Sequence, residues 1–323
     1  MKKLLALVLA AAMTLSLTAC GGSDTSSGGD EKIKIGILQQ LEHPSLDQSR
    51  EGFIQALKDN GYTDGENIVI DYQNAQSDQS NLSNMADRLV SNKSDLILAI
   101  ATGAAQTVAG KTSEIPVLIT AVTDPVDAGV VNSMENPGTN VSGTSDASPM
   151  KEQLELLLTL KEDIKTVGLL YTSSEDNSIL QIKQAKEILD DMKVPYVEQT
   201  VTNSNDVQQA VQSLVNKCGA IYIPTDNVLA SSMALVADIT WPAGIPVVTG
   251  AESMVTDGGL ATLGLSYYNL GYQTGEMAVK VLEGADISTM PVETQKEYAY
   301  IVNSDAVAAM NITLPVELAQ YVK

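Results

Sequence analysis

An α/β protein of two lobes, each built on a parallel sheet covered by helices and the two joined by a three-strand hinge, is the fold class this sequence predicts. Three observations carry it. From residue 33 onward, short β-branched apolar runs alternate with segments of helical periodicity. The runs stop at small and polar residues, most clearly in DLILAIATGAAQTVAGKTSEIPVLITAVTDP (95–125), where 96–101 ends at Thr102-Gly103 and 117–122 ends at Thr123-Asp124-Pro125. A looser copy of that strand–helix–strand unit lies at 219–254, as expected of two lobes facing one cleft. In open α/β sheets ligands bind beyond the carboxyl ends of the strands.

The first residues stand apart from this alternation. Lys2-Lys3, an apolar run over 4–17 and the small residues of Leu17-Thr18-Ala19-Cys20 have the shape of a secretion signal, too short to span a membrane. Residues 1–19 are therefore read as a signal peptide. GGSDTSSGGD (21–30) has no apolar face to pack, so 20–32 is read as a flexible tether.

The first lobe begins with IKIGIL (33–38) and the loop 39–44. Asp47 precedes a helix with Phe53, Ile54 and Leu57 on one face, stopped by Asn60-Gly61. A turn at 62–65 leads into a strand over 67–72. A helix bearing Leu82, Met85, Leu89 and Val90 follows, and then the 95–125 unit. Asn136-Pro137-Gly138 turns into the short run Val141-Ser142-Gly143, the exit from this lobe.

The second lobe opens with a helix over 150–160 and repeats the rhythm. Its expected strands are 167–171, 196–201, 220–223 and 246–249. Ile179, Ile182, Ile188, Leu189 and Met192 mark one helix face; Val207, Ala210, Val211, Leu214 and Val215 keep the i, i+3, i+4, i+7, i+8 spacing of another. After Asp257-Gly258-Gly259 come a strand (260–265), a helix with Met277, Ala278, Val281 and Leu282, and a last strand and helix at 298–302 and 306–310. These have no equivalent in the first copy and are read as crossing back between the lobes. The division expected is 33–145 plus 265–290 for the first lobe and 146–264 plus 291–323 for the second.

The chain has 40 acidic against 19 basic side chains, a net charge of −21, and loss of Lys2 and Lys3 with a signal makes it more negative still. Such a surface argues against nucleic acid or anionic lipid as partners. Beside Cys20 the chain has one other cysteine, Cys218, which reads as a small buried hydrophobe. His43 is the one histidine, so the ligand set of a zinc site is lacking. No Gly-x-Ser-x-Gly elbow and no Gly-rich phosphate loop opens a helix. No metal, cofactor or catalysis is expected.

Several stretches together carry a family resemblance: KIGILQQLEHPSLD, GYTDGENIVIDYQNAQSD, ILAIATGAAQ, IPVLITAVTDPVDAGVV, NPGTNVSGTSD, VGLLYTSSEDNS and GGLATLGLSYYNLGYQTGEMAVKVLEGADISTMPVE. In their order and spacing they resemble the ABC-importer substrate-binding lipoproteins, more narrowly the tryptophan-binding lipoprotein family. LTAC resembles a bacterial lipobox. The resemblance implies two Rossmann-like lobes of the type I periplasmic-binding-protein-like fold, closing on a small solute and delivering it to ABC permease subunits. It also implies lipid on the Cys20 sulfur, so that acyl chains hold an extracytoplasmic protein at the bacterial cell membrane. A monomer is expected.

A free amino acid, taken as the solute, needs partners for a carboxylate, an ammonium and a side chain. The helix opening at Thr102-Gly103 presents free N–H groups and a dipole end suited to the carboxylate, unless Thr102 only caps it. Ala121, Val122 and Thr123 end the neighbouring strand. Asp226, Glu252 and Asp124 are the strand-end acids available to the ammonium, and the GAES loop around Glu252 resembles the corresponding loop of amino-acid receptors of this fold. Asp226, followed by Asn227, serves equally well as a helix cap. Ser173, Ser174, Glu175 and Asn177 form a further wall. Gln40, Leu41, Glu42 and His43 follow the first strand toward the cleft mouth, with Tyr171, Tyr267 and Tyr268 as candidate aromatic walls; Trp241 reads as structural. A sugar or nucleoside solute, or a sensor role with the same fold, is the competing reading.

Overall fold

The computed structural model describes residues 32–162 and 164–323. The expected signal peptide, Cys20 and the tether up to residue 31 lie outside the described residues. Residues 33–323 form one unit.

Strand β1 (Ile33–Gln39) is buried from Ile35 on because both faces of the sheet are covered by helices. Helix α1 (Pro44–Asp59) starts with Pro, which fits the first helical turn, and carries Asp47 in its first turn and Lys58 in its last, both complementing the helix dipole. Then come β2 (Ile68–Asn74), α2 (Gln79–Ser91), β3 (Leu96–Ile100), α3 (Thr102–Ala109), β4 (Val117–Val122) and β5 (Val141–Ser145). Asp78 caps α2 by accepting from the Asn81 N–H at 2.8 Å.

The repeat runs α4 (Met150–Thr159), β6 (Val167–Thr172), α5 (Asp176–Met192), β7 (Tyr196–Val201), α6 (Val207–Leu214) and β8 (Ala220–Ile223). It continues through α7 (Asn227–Ala230), α8 (Met233–Thr240), β9 (Val247–Thr249), α9 (Glu252–Thr256) and β10 (Ala261–Gly264). The chain then adds α10 (Tyr267–Leu282), β11 (Glu293–Thr294), β12 (Ala299–Val302) and α11 (Ser304–Met310). Within α5, Ile179 is exposed, unlike Ile182 and Leu189, because the helix turns that first-turn position outward. Cys218 is half-buried, its thiol against the Leu214 carbonyl, and burial pushes its pKa up to about 11. Trp241 donates its indole N–H to the Gly258 carbonyl at 2.9 Å, tying α8 to the loop before β10.

The strands make two six-stranded sheets in the orders β11-β5-β4-β3-β1-β2 and β12-β10-β9-β8-β6-β7. Among the described residues all strand pairings are parallel except β10 with β12. The chain passes between sheets three times, at 146–149, 265–266 and 295–298. The expected crossing strands thus stay in the second sheet, as the antiparallel pair β10–β12, and the passages are the short segments beside them. Glu293–Thr294 pair with β5 in the first sheet, whereas the sequence reading assigned everything from 291 to the second lobe. A two-residue strand of Glu and Thr has no apolar run to announce it.

In both sheets the strand order reverses beside the first strand, between β1 and β3 and again between β6 and β8. Those reversal points open a crevice at the carboxyl ends of the strands. The loops leaving β1, β3, β6 and β8 are the ones the fold aims into the cleft.

Candidate functional site

Between the two sheets lies a narrow cavity of about 20 Å³, room for about one water with the lobes closed as they are here. Its apolar wall comes from Leu46, Ala121, Ala230, Ala251 and Met254, drawn from both lobes. A bulge helps shape the wall. The β4–β5 register shifts between Ile119 and Val122, and Ala121 takes the left-handed φ of 55°. A non-glycine residue held there is strained, and such strain gathers at functional sites. It brings both Ala121 and Thr123 to the cavity.

Asp146, just past β5, is the cavity's sharpest chemical feature. It is buried, Oδ2 accepts from the Tyr267 hydroxyl at 2.7 Å, and Oδ1 has no hydrogen-bond partner among the described residues. Burial raises its pKa, and the hydrogen bond from the Tyr267 hydroxyl is the largest influence opposing the rise. Asp226 lines the same cavity but is fully engaged. It accepts from the Thr172 N–H and hydroxyl at 2.6 and 2.7 Å, the Ser178 hydroxyl at 2.8 Å and the Leu229 N–H at 2.9 Å. Its carboxylate therefore ties β6, α5 and α7 together.

A second buried network surrounds Asn227. Its Nδ2 donates to Glu175 Oε2 at 2.7 Å, the Asn227 and Val228 N–H groups donate to the same carboxylate at 3.1 and 3.2 Å, and Asn227 Oδ1 lies 3.1 Å from His43 Nε2. Burial, and then the charge of Asp226, push the Glu175 carboxyl up to about 8. Burial pulls the His43 pKa down, so the ring is held neutral. His43 Nδ1 is buried without a partner among the described residues. Thr225 completes the wall: its hydroxyl accepts from Gln181 Nε2 at 2.7 Å and faces the Thr123 hydroxyl at 3.3 Å across the cleft.

The lobes are closed on one another. His43–Asn227, Thr123–Thr225, Ser45–Ser253 and Gln106–Asp176 all bond across the cleft. None of the described residues walling the cavity is Lys or Arg.

Residues 34–323 match the family model described as ABC transporter substrate binding protein. The chain belongs to this family. It is a solute-binding component of an ABC transporter, an extracytoplasmic protein that passes its solute to permease subunits. It is 42% identical to a tyrosine-binding protein of Clostridioides difficile (strain R20291), over 100% of this chain and 96% of that one. It superposes on the ABC domain in complex with L-Trp from Streptococcus pneumonia with a TM-score of 0.87 at 35% identity, covering 91% of this chain and 100% of that chain. Against the ligand-free, open structure of a substrate-binding protein with adhesive properties from Clostridium difficile the TM-score is 0.69. That protein is 46% identical, with 90% of this chain and 98% of that one covered. The lower score at higher identity fits a difference in lobe angle, since the cross-cleft bonds here hold the lobes shut.

Against this substrate-binding frame, the residues singled out in the sequence fall into three groups. His43, Ala121, Thr123, Asn177, Asp226 and Asn227 wall the cavity. Gln40, Leu41, Gly103, Ser174, Glu175 and Asn177 line a wider groove at the cleft mouth. The rest stand elsewhere, for local reasons. Gln40 Oε1 accepts the Gly103 N–H at 2.8 Å, so this donor at the start of α3 serves a side chain of its own lobe. Thr102 is buried and walls neither space. Val122 is buried within β4, its carbonyl taken by the Asp146 N–H. Asp124 closes its own turn, accepting from the Val126 and Asp127 N–H groups. The Ser173 hydroxyl donates to the Val201 carbonyl. Glu252 pairs with Lys323 at 3.4 Å, away from the cavity, so the loop resemblance does not place its carboxylate there. Tyr171 donates to Glu198 on β7 and Tyr268 is exposed; Tyr267 alone of the three tyrosines reaches the cavity.

Asp146 and Thr225 were missed. Asp146 follows VSGTS, a strand with only one large apolar residue, and the signal available was its place at that strand's end.

Proposed function

We propose that this protein binds a free amino acid with an aromatic side chain in the interlobe cavity and delivers it to an ABC permease. One observation carries the reading: a buried carboxylate oxygen, Asp146 Oδ1, without a partner among the described residues, in a cavity they wall with no basic side chain. A buried anion with an open acceptor calls for a cationic donor, which the ammonium of an amino acid supplies. The Thr225 hydroxyl accepts from Gln181 and shares one proton with the Thr123 hydroxyl, leaving the pair one proton to give to the ligand's carboxylate. Leu46, Ala251 and Met254 provide the apolar wall for a ring. The tyrosine-binding relative and the L-Trp complex support the aromatic class. In this reading the lobes hinge at the three passages, the protein works as a monomer by binding rather than by catalysis, and lipid on Cys20 keeps it at the membrane.

Calorimetric titration of the purified lobes (residues 33–323) with amino acids, sugars and nucleosides tests the ligand class. The expected result is saturable binding of an aromatic amino acid, weakened about a hundredfold or more by Asp146→Asn, as expected when a buried charge loses its partner. Binding of a sugar or nucleoside alone would sink the proposal. Release of the Cys20→Ala protein from the membrane fraction tests the anchor.

A further inference from the structure

A second buried polar atom without a partner among the described residues belongs to a residue walling the cavity, His43, and its chemistry is set by a relay. Glu175 accepts the two backbone N–H groups of Asn227 and Val228 and the Asn227 Nδ2 amide. With Nδ2 committed to that carboxylate, Asn227 turns Oδ1 toward His43. An amide oxygen only accepts, so His43 Nε2 must carry the proton. In a neutral imidazole the other nitrogen, Nδ1, is then a bare lone pair. It is buried, has no partner among the described residues, and belongs to a residue walling the same cavity as Asp146.

Resting on the amino-acid reading above, we infer that His43 reads the ligand's side chain. Nδ1 accepts a hydrogen bond from an O–H or N–H on the ring, and the site selects phenol- or indole-bearing amino acids over phenylalanine. A ligand without that donor leaves a buried acceptor unsatisfied, and a site built to bond a hydroxyl rejects the analogue lacking it far more strongly than it rejects a change of one methylene.

Two substitutions separate the two nitrogens. In His43→Gln the longer amide takes the place of Nε2 and keeps the contact to Asn227; in His43→Asn the shorter amide takes the place of Nδ1 and keeps the acceptor. Calorimetry with L-tyrosine and L-phenylalanine on the wild type should give a preference for tyrosine of at least about tenfold. The His43→Gln variant should lose that preference while still binding phenylalanine, and His43→Asn should keep it. Equal affinities in the wild type, or an unchanged preference in His43→Gln, overturns the inference and leaves the amino-acid reading standing. Failure of the wild type to bind any amino acid overturns that reading itself. Independent of variant folding, His43 is the one histidine, so ¹⁵N imidazole spectra of labelled wild-type protein report its tautomer without assignment. The expected state is Nε2–H, with the Nδ1 resonance moving on addition of tyrosine and not of phenylalanine. An Nδ1–H tautomer, which a flipped Asn227 amide would impose, overturns the inference.

Discussion

Asp146 Oδ1 sits where burial makes a bare carboxylate costly, so its protonation and its ligand are coupled. The raised pKa of the free site falls when an ammonium pairs with it. The free site therefore takes up a proton at higher pH than an ordinary carboxylate does, the complex does not, and affinity declines as pH drops through the raised value. Titrations in buffers of different ionisation enthalpy should show net proton release on binding at mildly acidic pH; no buffer dependence there contradicts the coupling. Tyr267→Phe removes the hydroxyl that donates to Oδ2 at 2.7 Å. It should weaken binding roughly tenfold or more, the scale of one hydrogen bond to a charged group, and shift the affinity–pH curve to higher pH. Glu175 is likewise raised, and its effect falls on stability. Its folded value of about 8 exceeds the ordinary 4.5, so its contribution is present below about 4.5 and lost as pH rises through about 8. Glu175→Gln should flatten that loss, and melting near pH 9 should come a few degrees above the parent, at about 2–4 °C per kcal/mol. An identical pH dependence in the two proteins would contradict it. Of these acids, strand-end position pointed to Asp226, Asp124 and Glu252 alike. What separates them from Asp146 is whether local N–H donors, a lysine or a cavity faces the carboxylate, and no spacing in the chain encodes that.

At the scale of elements, α1 and α10 pack across most of the length of the chain. Three glycines allow the approach: a Cβ on Gly52 would meet the Tyr268 carbonyl, one on Gly271 the Ser49 carbonyl, and one on Gly275 the Ala56 methyl and Phe53 carbonyl. Ser45, in the first turn of α1, bonds the Ser253 hydroxyl of the other lobe, so the helix packing also fixes a cleft-facing contact. Gly→Ala ordinarily stabilises a helix interior by about 1 kcal/mol. Here the sign reverses, and Gly271→Ala should destabilise by roughly 1–3 kcal/mol, the cost of overpacking, measured as a lowered urea midpoint. A raised midpoint would show the helices free to part. The helical pattern of α10 was readable from Met277, Ala278, Val281 and Leu282, but its partner was not, because a glycine stripe has no hydrophobic signature. The β4 bulge was hidden by a related gap in the signal: VLITAV reads as an unbroken buried strand, and only its pairing with β5 shows the shift.

Across the whole molecule, closure rests on small polar bonds between lobes together with buried apolar residues of both, Leu46 and Ala121 with Ala230, Ala251 and Met254, so a ligand touching both sides moves the balance. Scattering from the ligand-free protein should give a larger radius of gyration than the amino-acid complex, and Asp146→Asn protein should not contract at ligand concentrations that close the wild type. Equal radii with and without ligand would leave binding uncoupled from hinge motion.

The two-lobe α/β plan and the duplicated alternation of strand and helix were determined by the sequence, since apolar periodicity and the residues that stop it are local properties of the chain. Which acid is left open and which nitrogen of His43 is bare were decided only by tertiary structure. Both depend on distant partners, Tyr267 for Asp146 and Asn227 for His43, 121 and 184 residues away in sequence. Hydrogen bonds from such partners either satisfy a buried polar atom or leave it for a ligand.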